Sequence, residues 1–405
     1  MSANSPPVSN LVPAVRADES SRRFSWGHEG LLIGSEEGFY SVRIHGYLQS
    51  DGRLFVDNLA GRDHAVFLFR RVRPLVEGRL SSGIDFRFMP DFGEGNTVVQ
   101  EAYAEWNSIS ALRMRIGKFK TPIGLEVLRS DRDLTFGERS LASDLVPLRD
   151  LGGQIEGSFL QDAVGYEVAW LSGTNDGSNA NFEWRGSNEA VMRTFFQPFV
   201  AAQSNAAREL GIGLAASVGT SRNPLPDFKT TGQETFFRYV PGALADGEQR
   251  RLSPQARYYL GPVGVMAEYA ASGQKVRAGT ASRYLSNEGW EVAGSWILTG
   301  EKNSFEGIEP AHPLEFSRNA RHLGAWEVAL RHSTVEFDPH AFPLFAAPGT
   351  SADGASESAA GVNWYINRYT RLLVNYEYTG FPSIPASAAR SGPEHLFLTR
   401  VQLAF

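Results

Sequence analysis

The chain of 405 residues contains no cysteine. This absence excludes disulfides, thiolate metal sites and thiol nucleophiles. The sequence also lacks any apolar stretch close to the roughly 18 residues that a membrane-spanning helix needs. Hydrophobic residues nevertheless make up 42% of the chain, which is too many for a mainly disordered protein. The protein is therefore neither a helical membrane protein nor a disordered chain.

Lysine is scarce, because only five of the 39 basic residues are lysines and the other 34 are arginines. Arginine stays charged at physiological pH and binds phosphate or carboxylate through two parallel hydrogen bonds. The bias suits anion binding, although a general preference for arginine in the composition explains it equally well. The formal net charge of -6 argues against nucleic acid as a partner.

Motifs of catalysis and of metal binding are missing as well. The eight histidines show no ligand spacing such as His-Glu-x-x-His, and the sequence has no phosphate-cradling loop or nucleophile elbow. Glu101 and Glu105 could serve a hydrolase as acid and base, but they share one face of a predicted strand with Tyr103. We therefore expect no catalytic residue, no metal and no cofactor.

The feature that dominates the sequence from Tyr40 onward is alternation with a period of two. Leu112, Met114 and Ile116, for example, interleave with Arg113 and Arg115. Strict alternation predicts a strand with one apolar and one polar face. These segments run about ten residues between clusters of turn residues, as in transmembrane barrels, whereas strands of soluble sandwiches usually have about five or six. We predict an all-β fold, a transmembrane antiparallel β-barrel over residues 38–405.

The two ends of the chain carry different signals. Residues 1–37 predict a flexible segment, and residues 1–15 lack the basic start and apolar core of a secretory signal. We expect that the signal has been removed or replaced, or that the start codon is assigned too late. At the other end, Phe397, Val401, Leu403 and Phe405 share one face of a final strand. A terminal phenylalanine on such a strand resembles the signal that outer-membrane barrels present to the barrel-assembly machinery.

Several motifs resemble the phosphate-selective porin O/P family. They are FLFRRVRPLVEG at 67–78, DFRFMPDF at 85–92, QEAYAEW at 100–106, RIGKFKTPIGLE at 115–126, ERSL at 138–141 and LVPLRDLG at 145–152. The resemblance extends from about Gly38 to Phe405. It implies a barrel of about sixteen strands in the outer membrane of a Gram-negative-type bacterium. It also implies a homotrimer with one pore per subunit, narrowed by an infolded loop. The best-known members pass phosphate or polyphosphate along a pore lined with arginines.

The second predicted strand carries the first candidate site. Arg71, Arg73, Glu77 and Arg79 share one parity, and charge on the lipid face costs roughly 2–4 kcal/mol at mid-membrane, so this parity should face the lumen. Arg70 breaks the pattern and is placed near the interface, at a bulge or against a neighbouring subunit. Because the resemblance implies a functional arginine pair here, Arg70 and Arg71 are predicted together to bind the anion. The alternative is an arginine–carboxylate ladder that only fills the pore wall.

The segment 121–150 is too long and too polar for a hairpin turn. By resemblance, it is the loop that forms the constriction. The family places a basic residue of this loop on the anion, and Arg132 is the nearest match, together with Arg129. The loop also contains Arg139, Arg149 and the acids Asp131, Asp133, Glu138 and Asp144. These acids either orient the arginines or cancel their charge.

Arg113 and Arg115 complete the predicted pore lining, because their parity points them into the lumen. Lys118 and Lys120 have the other parity, and solvated loop charge is the favoured interpretation for both.

The leading interpretation is a pore whose partners are small anions such as phosphate. Three alternatives remain open. The first is a general or carbohydrate-selective porin in which the loop acids neutralise the arginines. The second is an enzyme, such as an outer-membrane lipase or a soluble glycosidase, which the missing nucleophile motifs disfavour. The third is a barrel plugged by its own loop.

Overall fold

The structure, a computed structural model, describes residues 24–27, 30–35, 39–56, 65–81, 83–179, 186–200, 209–316, 321–347, 349–382 and 392–405. In this part of the chain, sixteen antiparallel strands form one closed barrel, as predicted. Their bounds are β1 Ser41–Phe55, β2 Ala65–Ser81, β3 Ile84–Asp91, β4 Val98–Ile109, β5 Leu112–Lys120, β6 Arg149–Phe159, β7 Val164–Leu171, β8 Asn188–Phe196, β9 Gly211–Ser221, β10 Leu244–Leu260, β11 Val263–Ala278, β12 Ala281–Ile297, β13 Ala325–Glu336, β14 Gly354–Tyr365, β15 Thr370–Gly380 and β16 Glu394–Ala404.

The barrel closes where β16 pairs with β1. The register runs from Leu396 opposite Phe55 to Ala404 opposite Tyr47. Phe405 extends the ladder by one position, since its backbone N–H donates to the Gly46 carbonyl at 3.0 Å and its carbonyl accepts from the Gly46 N–H at 2.8 Å. Closure leaves no free strand edge along this seam, which is the condition for a sheet to stand in lipid.

An N-terminal hairpin extends the same seam. Strands Phe24–Gly27 and Gly30–Gly34 pair with each other, and the second pairs with the start of β1, with Leu31 opposite Ile44. Ordered structure therefore begins before the predicted boundary at residue 38, because the edge of β1 beyond Phe405 would otherwise be unpaired. Most of the predicted flexible segment 1–37 lies outside the described residues.

Burial alternates along the strands as the sequence pattern predicts. On β16, Leu396, Leu398 and Arg400 are buried, whereas Phe397 and Val401 are exposed on the outer face. An exposed apolar face is stable only where lipid covers it. Within the described residues, no helix has the length and apolarity needed to cross a membrane.

The connection between β5 and β6, which we call the lumen loop, lies inside the barrel. It contains a one-turn helix α1 (Leu125–Leu128) and a 3-10 helix (Leu141–Leu145). It contacts the wall at separate strands, because Gln49 on β1 donates to the Asp131 carbonyl at 3.0 Å and the Leu141 N–H donates to Ser333 on β13 at 3.4 Å. Its limits are 121–148 rather than the predicted 121–150, since Arg149 and Asp150 pair with Lys120 and Phe119 across β5 and β6.

Other connections cover the two ends of the barrel. At the end of the barrel where most of the long connections lie, residues 222–243 contain the short strands Phe228–Lys229 and Thr235–Phe237. Phe337 begins the connection 337–353 at the same end. The rings of Phe237 and Phe337 stack at 3.8 Å above the lumen loop. At the opposite end, the connection 298–324, of which residues 298–316 and 321–324 are described, contains short strands Glu315–Phe316 and Arg321–His322. It contacts the lumen loop where the Ser304 carbonyl accepts from Arg129 at 3.4 Å. Further 3-10 helices are Gly93–Gly95 and Pro339–Ala341.

Candidate functional site

A bulge on β2 turns two consecutive arginines into the lumen. The β1–β2 register passes from Gln49 opposite Arg71 to Ser50 opposite Phe69, so Arg70 is the extra residue. Both guanidinium groups reach Glu138 of the lumen loop, Arg70 at 2.7 Å and Arg71 at 3.0 Å. The bulge is one of the placements considered for Arg70, and it explains how neighbours in sequence share one side of the sheet.

Glu138 is the centre of a cluster of four guanidinium groups. Besides Arg70 and Arg71, Arg400 lies 2.9 Å and Arg53 lies 3.6 Å from its carboxylate. Glu138 is buried, which by itself would raise its pKa. The surrounding positive charges, Arg70 first, outweigh burial and hold the pKa of Glu138 well below its ordinary value. Glu138 is therefore ionised and fixes the loop to β1, β2 and β16.

Asp131 forms a second cluster of the same kind. Its carboxylate accepts hydrogen bonds from Arg73, Arg139 and Arg149, the last at 3.3 Å. Burial again opposes ionisation, but these arginines hold the pKa of Asp131 well below its ordinary value. Arg73 also donates to Asp91 at 2.6 Å. Of the predicted loop acids, Glu138 and Asp131 thus orient the arginines by direct pairing, and each also offsets part of their charge.

A cavity of about 890 Å³ lies between the lumen loop and the connection 298–324. We call it the lower cavity. Its wall combines charged side chains of both signs with a few rings, among them Tyr103, Phe195 and Phe305. The charged residues that line it are Arg43, Glu77, Arg87, Glu101, Arg115, Lys120, Asp131, Arg132, Asp133, Arg149, Glu156, Glu167, Arg193, Arg257, Glu306, Glu309, Arg368 and Arg371.

Three cations of the lower cavity have no ion-pair partner among the described residues. The Lys120 ammonium donates to the Leu128 carbonyl at 3.1 Å, and Arg371 donates to Asn363 at 2.7 Å. Arg257 lies against two phenyl rings and makes no hydrogen bond through its guanidinium within the described part of the chain. None of the three is therefore paired directly with a carboxylate in the part of the chain that the structure describes.

The remaining predicted residues are spread around the lumen. Arg115 lies 3.3 Å from Glu156, which also pairs with Arg113 at 2.9 Å. Arg132 projects into the lower cavity with its side chain 45% exposed, and its carboxylate partner is Asp133 at 3.4 Å. Arg129 lies away from that group and donates to Thr135 at 2.8 Å. The eight arginines are therefore divided among several places and do not converge on one point.

The interpretation of Lys118 and Lys120 as solvated loop charges is wrong. Both belong to β5, where Lys118 is buried and Lys120 donates to carbonyl groups of the lumen loop. Gly117, with φ of 129°, lies beside them, and such backbone geometry changes the orientation of the residues that follow.

Sequence reasoning missed several residues of the site. Arg257, Arg371 and Arg400 lie on three late strands, and each occupies the inward parity of its strand. That parity was the available signal. The motifs of the family resemblance do not single out these three positions, because they are concentrated in the first half of the chain.

Comparison with known proteins agrees with this architecture. The family model for phosphate-selective porin O and P matches residues 42–405. Porin O of Pseudomonas aeruginosa is 21% identical over 412 residues, which cover 93% of this chain and 91% of that protein. Both findings confirm the resemblance inferred from the motifs.

Solved outer-membrane structures share the fold at low identity. The outer membrane channel DcaP of Acinetobacter baumannii has a TM-score of 0.60 at 9% identity, covering 92% of this chain and 99% of that one. Salmonella typhi OmpF, solved in complex with daunomycin, has a TM-score of 0.55 at 12% identity, covering 92% of this chain and all of the other. The chain belongs to the phosphate-selective porin O and P family of the bacterial outer membrane.

Proposed function

We propose that the protein lets small anions, phosphate or polyphosphate among them, diffuse passively across the outer membrane through a pore lined with arginines. The observation that carries this proposal is the charge of the lower cavity. Ten arginine or lysine side chains line it against eight aspartate or glutamate side chains. The whole chain has the opposite balance, with 39 basic and 45 acidic residues. Basic side chains around a narrow pore favour the passage of anions.

The arginines have two roles in this proposal. Arg70, Arg71, Arg73 and Arg139, paired with Glu138 and Asp131, hold the lumen loop in place and supply a short-range field. Arg132, Arg257 and Arg371 meet the ion, because their guanidinium groups line the lower cavity. Arg113, Arg115 and Arg129 add positive charge along the path of the anion through the lumen. No step of this function requires a catalytic residue or a cofactor.

A second candidate function is a general or carbohydrate-selective porin. The observation that favours it is the pairing of Arg70 and Arg71 with one carboxylate, since an ion pair presents little net charge to a passing solute. A barrel plugged by its loop is the third alternative. Single-channel recording separates this one from the other two, since a plugged barrel would insert stably and conduct no current.

Reversal potentials in planar bilayers under a potassium chloride gradient test the proposal. We expect an anion-selective potential and block of the chloride current by added phosphate. Replacing Arg70, Arg71 or Arg132 with alanine should reduce anion selectivity. Replacement with lysine should keep the charge but lose part of the phosphate preference, because an ammonium lacks the forked donor geometry.

Arg321→Ala is the control, because Arg321 is exposed in a short strand outside the barrel wall. It should leave the reversal potential unchanged. A parent channel without anion preference, or alanine variants that all discriminate like the parent, would favour the general porin.

A further inference from the structure

The ring of Phe195 lies flat against the inner wall beside β9. A methyl group added at Gly211 would come within 2.5 Å of two atoms of this ring, and one added at Gly213 within 2.6 Å. Both glycines are on β9, the strand that pairs with the strand of Phe195. The ring thus fills space that side chains at these two positions would occupy. Phe195 is only 3% exposed, so its ring is a fixed, buried support for the side chains that lie on it.

A second ring reaches Phe195 from the connection 298–324. Phe305 packs against a small apolar cluster of Phe195, Leu125 and Met266 and lines the lower cavity. The guanidinium carbon of Arg257 lies 4.8 Å from the centroid of Phe195 and 4.5 Å from that of Phe305. These are stacking distances for a guanidinium on an aromatic face.

No carboxylate is in direct contact with this group among the described residues. The guanidinium of Arg257 has no hydrogen-bond acceptor and no ion-pair partner in the described part of the chain. Arg193, which lies 4.8 Å above the same Phe195 ring, is by contrast paired with Glu167 at 3.3 Å. The N–H groups of Arg257 are thus available to a solute in the lower cavity.

Glu306 limits which anions fit. It follows Phe305, lines the lower cavity and has no ion-pair partner among the described residues. A carboxylate near the cationic group repels a second negative charge on a bound solute. The arrangement therefore suits one negative charge attached to an apolar body.

We propose that Arg257 and Phe305, held against the buried Phe195 ring, form a binding site for aromatic monocarboxylates that pass through the lumen. The forked guanidinium takes the carboxylate, and the partly exposed Phe305 ring packs against the aromatic body of the solute. Inorganic phosphate can accept the same forked hydrogen bonds but gains no ring packing at this site. The inference rests on the proposed anion-conducting function, because the ligand reaches the site through the pore.

The test compares block of the chloride current by benzoate, acetate and inorganic phosphate in planar bilayers. For the parent we expect benzoate to block at about tenfold lower concentration than acetate, as ring packing adds to the carboxylate contact. Phe305→Leu should reduce this ratio to about twofold, and Arg257→Lys should weaken block by both carboxylates. Glu306→Gln should reduce the preference for benzoate over phosphate.

Two matched variants serve as controls. Phe397→Leu removes a ring from the outer face, and Arg250→Lys changes an exposed arginine, so both should keep the parent's ratio. Heat-modifiable migration in electrophoresis shows that each variant is folded. Phe305 lies in a connection and is only half-buried, so its substitution spares the barrel wall.

The outcomes separate the site from the channel function. An anion-selective parent that benzoate and acetate block equally, a ratio that Phe305→Leu leaves unchanged, or block by both carboxylates that Arg257→Lys leaves unchanged overturns this inference and leaves the proposed function standing. A parent without anion selectivity overturns the proposed function. A benzoate preference that Phe305→Leu reduces, together with block by both carboxylates that Arg257→Lys weakens, supports the site.

Discussion

Arg70 and Glu138 form a bidentate ion pair between the barrel wall and the lumen loop. The Arg70 Nε donates to one carboxylate oxygen at 2.7 Å and its Nη2 donates to the other at 3.1 Å. Arg71 binds the second oxygen as well, at 3.0 Å. The two arginines assigned to the anion therefore already hold a carboxylate of the protein itself. We expect the electrostatic field in the pore to depend on how completely Glu138 neutralises the charge of these arginines.

Glu138→Gln should increase anion selectivity, because it removes one negative charge and leaves the surrounding guanidinium groups uncompensated. A unit charge about 4 Å from an ion is worth ~1 kcal/mol in a water-like medium, which corresponds to roughly a fivefold change in the anion-to-cation permeability ratio. Reversal potentials provide the measurement. Glu248→Gln, in an exposed pair with Arg250, is the control and should leave the ratio unchanged. An unaltered ratio in Glu138→Gln would show that the ion does not sense this cluster.

Asp131→Asn should loosen the lumen loop. The substitution removes the charge that Arg73, Arg139 and Arg149 share, and breaking a buried ion pair costs roughly 3–5 kcal/mol. We expect a lower temperature of heat modification and faster proteolysis within residues 121–148. Asp133→Asn is the matched control, since its partner Arg132 is half-exposed. Equal stability of the two variants would contradict a structural role for Asp131.

Anion selectivity should increase as the pH falls through the pKa of Glu306. Enclosure in the lumen raises this pKa above the ordinary 4.5; the charge of Arg257 opposes the shift, and Asp133 and Glu209 add to it. Above its pKa the carboxylate offsets cationic charge in the lower cavity, and below it the neutral form does not. Asp131 and Glu138 stay ionised in this range, since their arginines hold both pKa values far lower.

The measurement is the reversal potential between pH 8 and about pH 4, a range that spans the ordinary carboxyl pKa. Glu306→Gln should show high anion selectivity at both ends and a weaker dependence on pH. The same pH dependence in the variant and the parent would assign the titration to another group.

Deleting Phe405, or replacing it with aspartate, should impair insertion into the outer membrane. The last residue pairs with Gly46 through both backbone hydrogen bonds and exposes its ring on the lipid face, so the change affects the seam of the barrel. The fraction of heat-modifiable protein in isolated outer membranes measures assembly. Phe405→Tyr keeps an aromatic terminus and should assemble normally. Normal assembly of the deletion would contradict the predicted signal.

The protein should be a homotrimer in mild detergent, as the family resemblance implies. Mass measurement by light scattering, corrected for detergent, should give three times the subunit mass of 44.5 kDa. A stable conducting monomer would retain the barrel and reject the predicted quaternary structure.

The alternation of apolar and polar residues along each strand was sufficient to predict the β-barrel. Side chains of a strand alternate between its two faces, so the spacing of Arg71 and Arg73 against Val72 assigns each to a face without knowledge of neighbouring strands. The same argument applies to the terminal face of Phe397, Val401 and Phe405. The motifs around Arg70 and the lumen loop then identified the family, because they are specific in order and spacing.

Long-range pairing decided the rest. Whether Arg70 points inward depends on the register between β1 and β2, and a register is a relation between two strands. Whether Glu138 orients or cancels its arginines depends on where the lumen loop crosses the barrel, as β1, β2 and β16 all meet there. Arg257 came close to Phe195 and Phe305 only because the barrel and the connection 298–324 fold onto each other. A sequence determines which face a side chain takes, whereas the three-dimensional contacts determine which charge it meets.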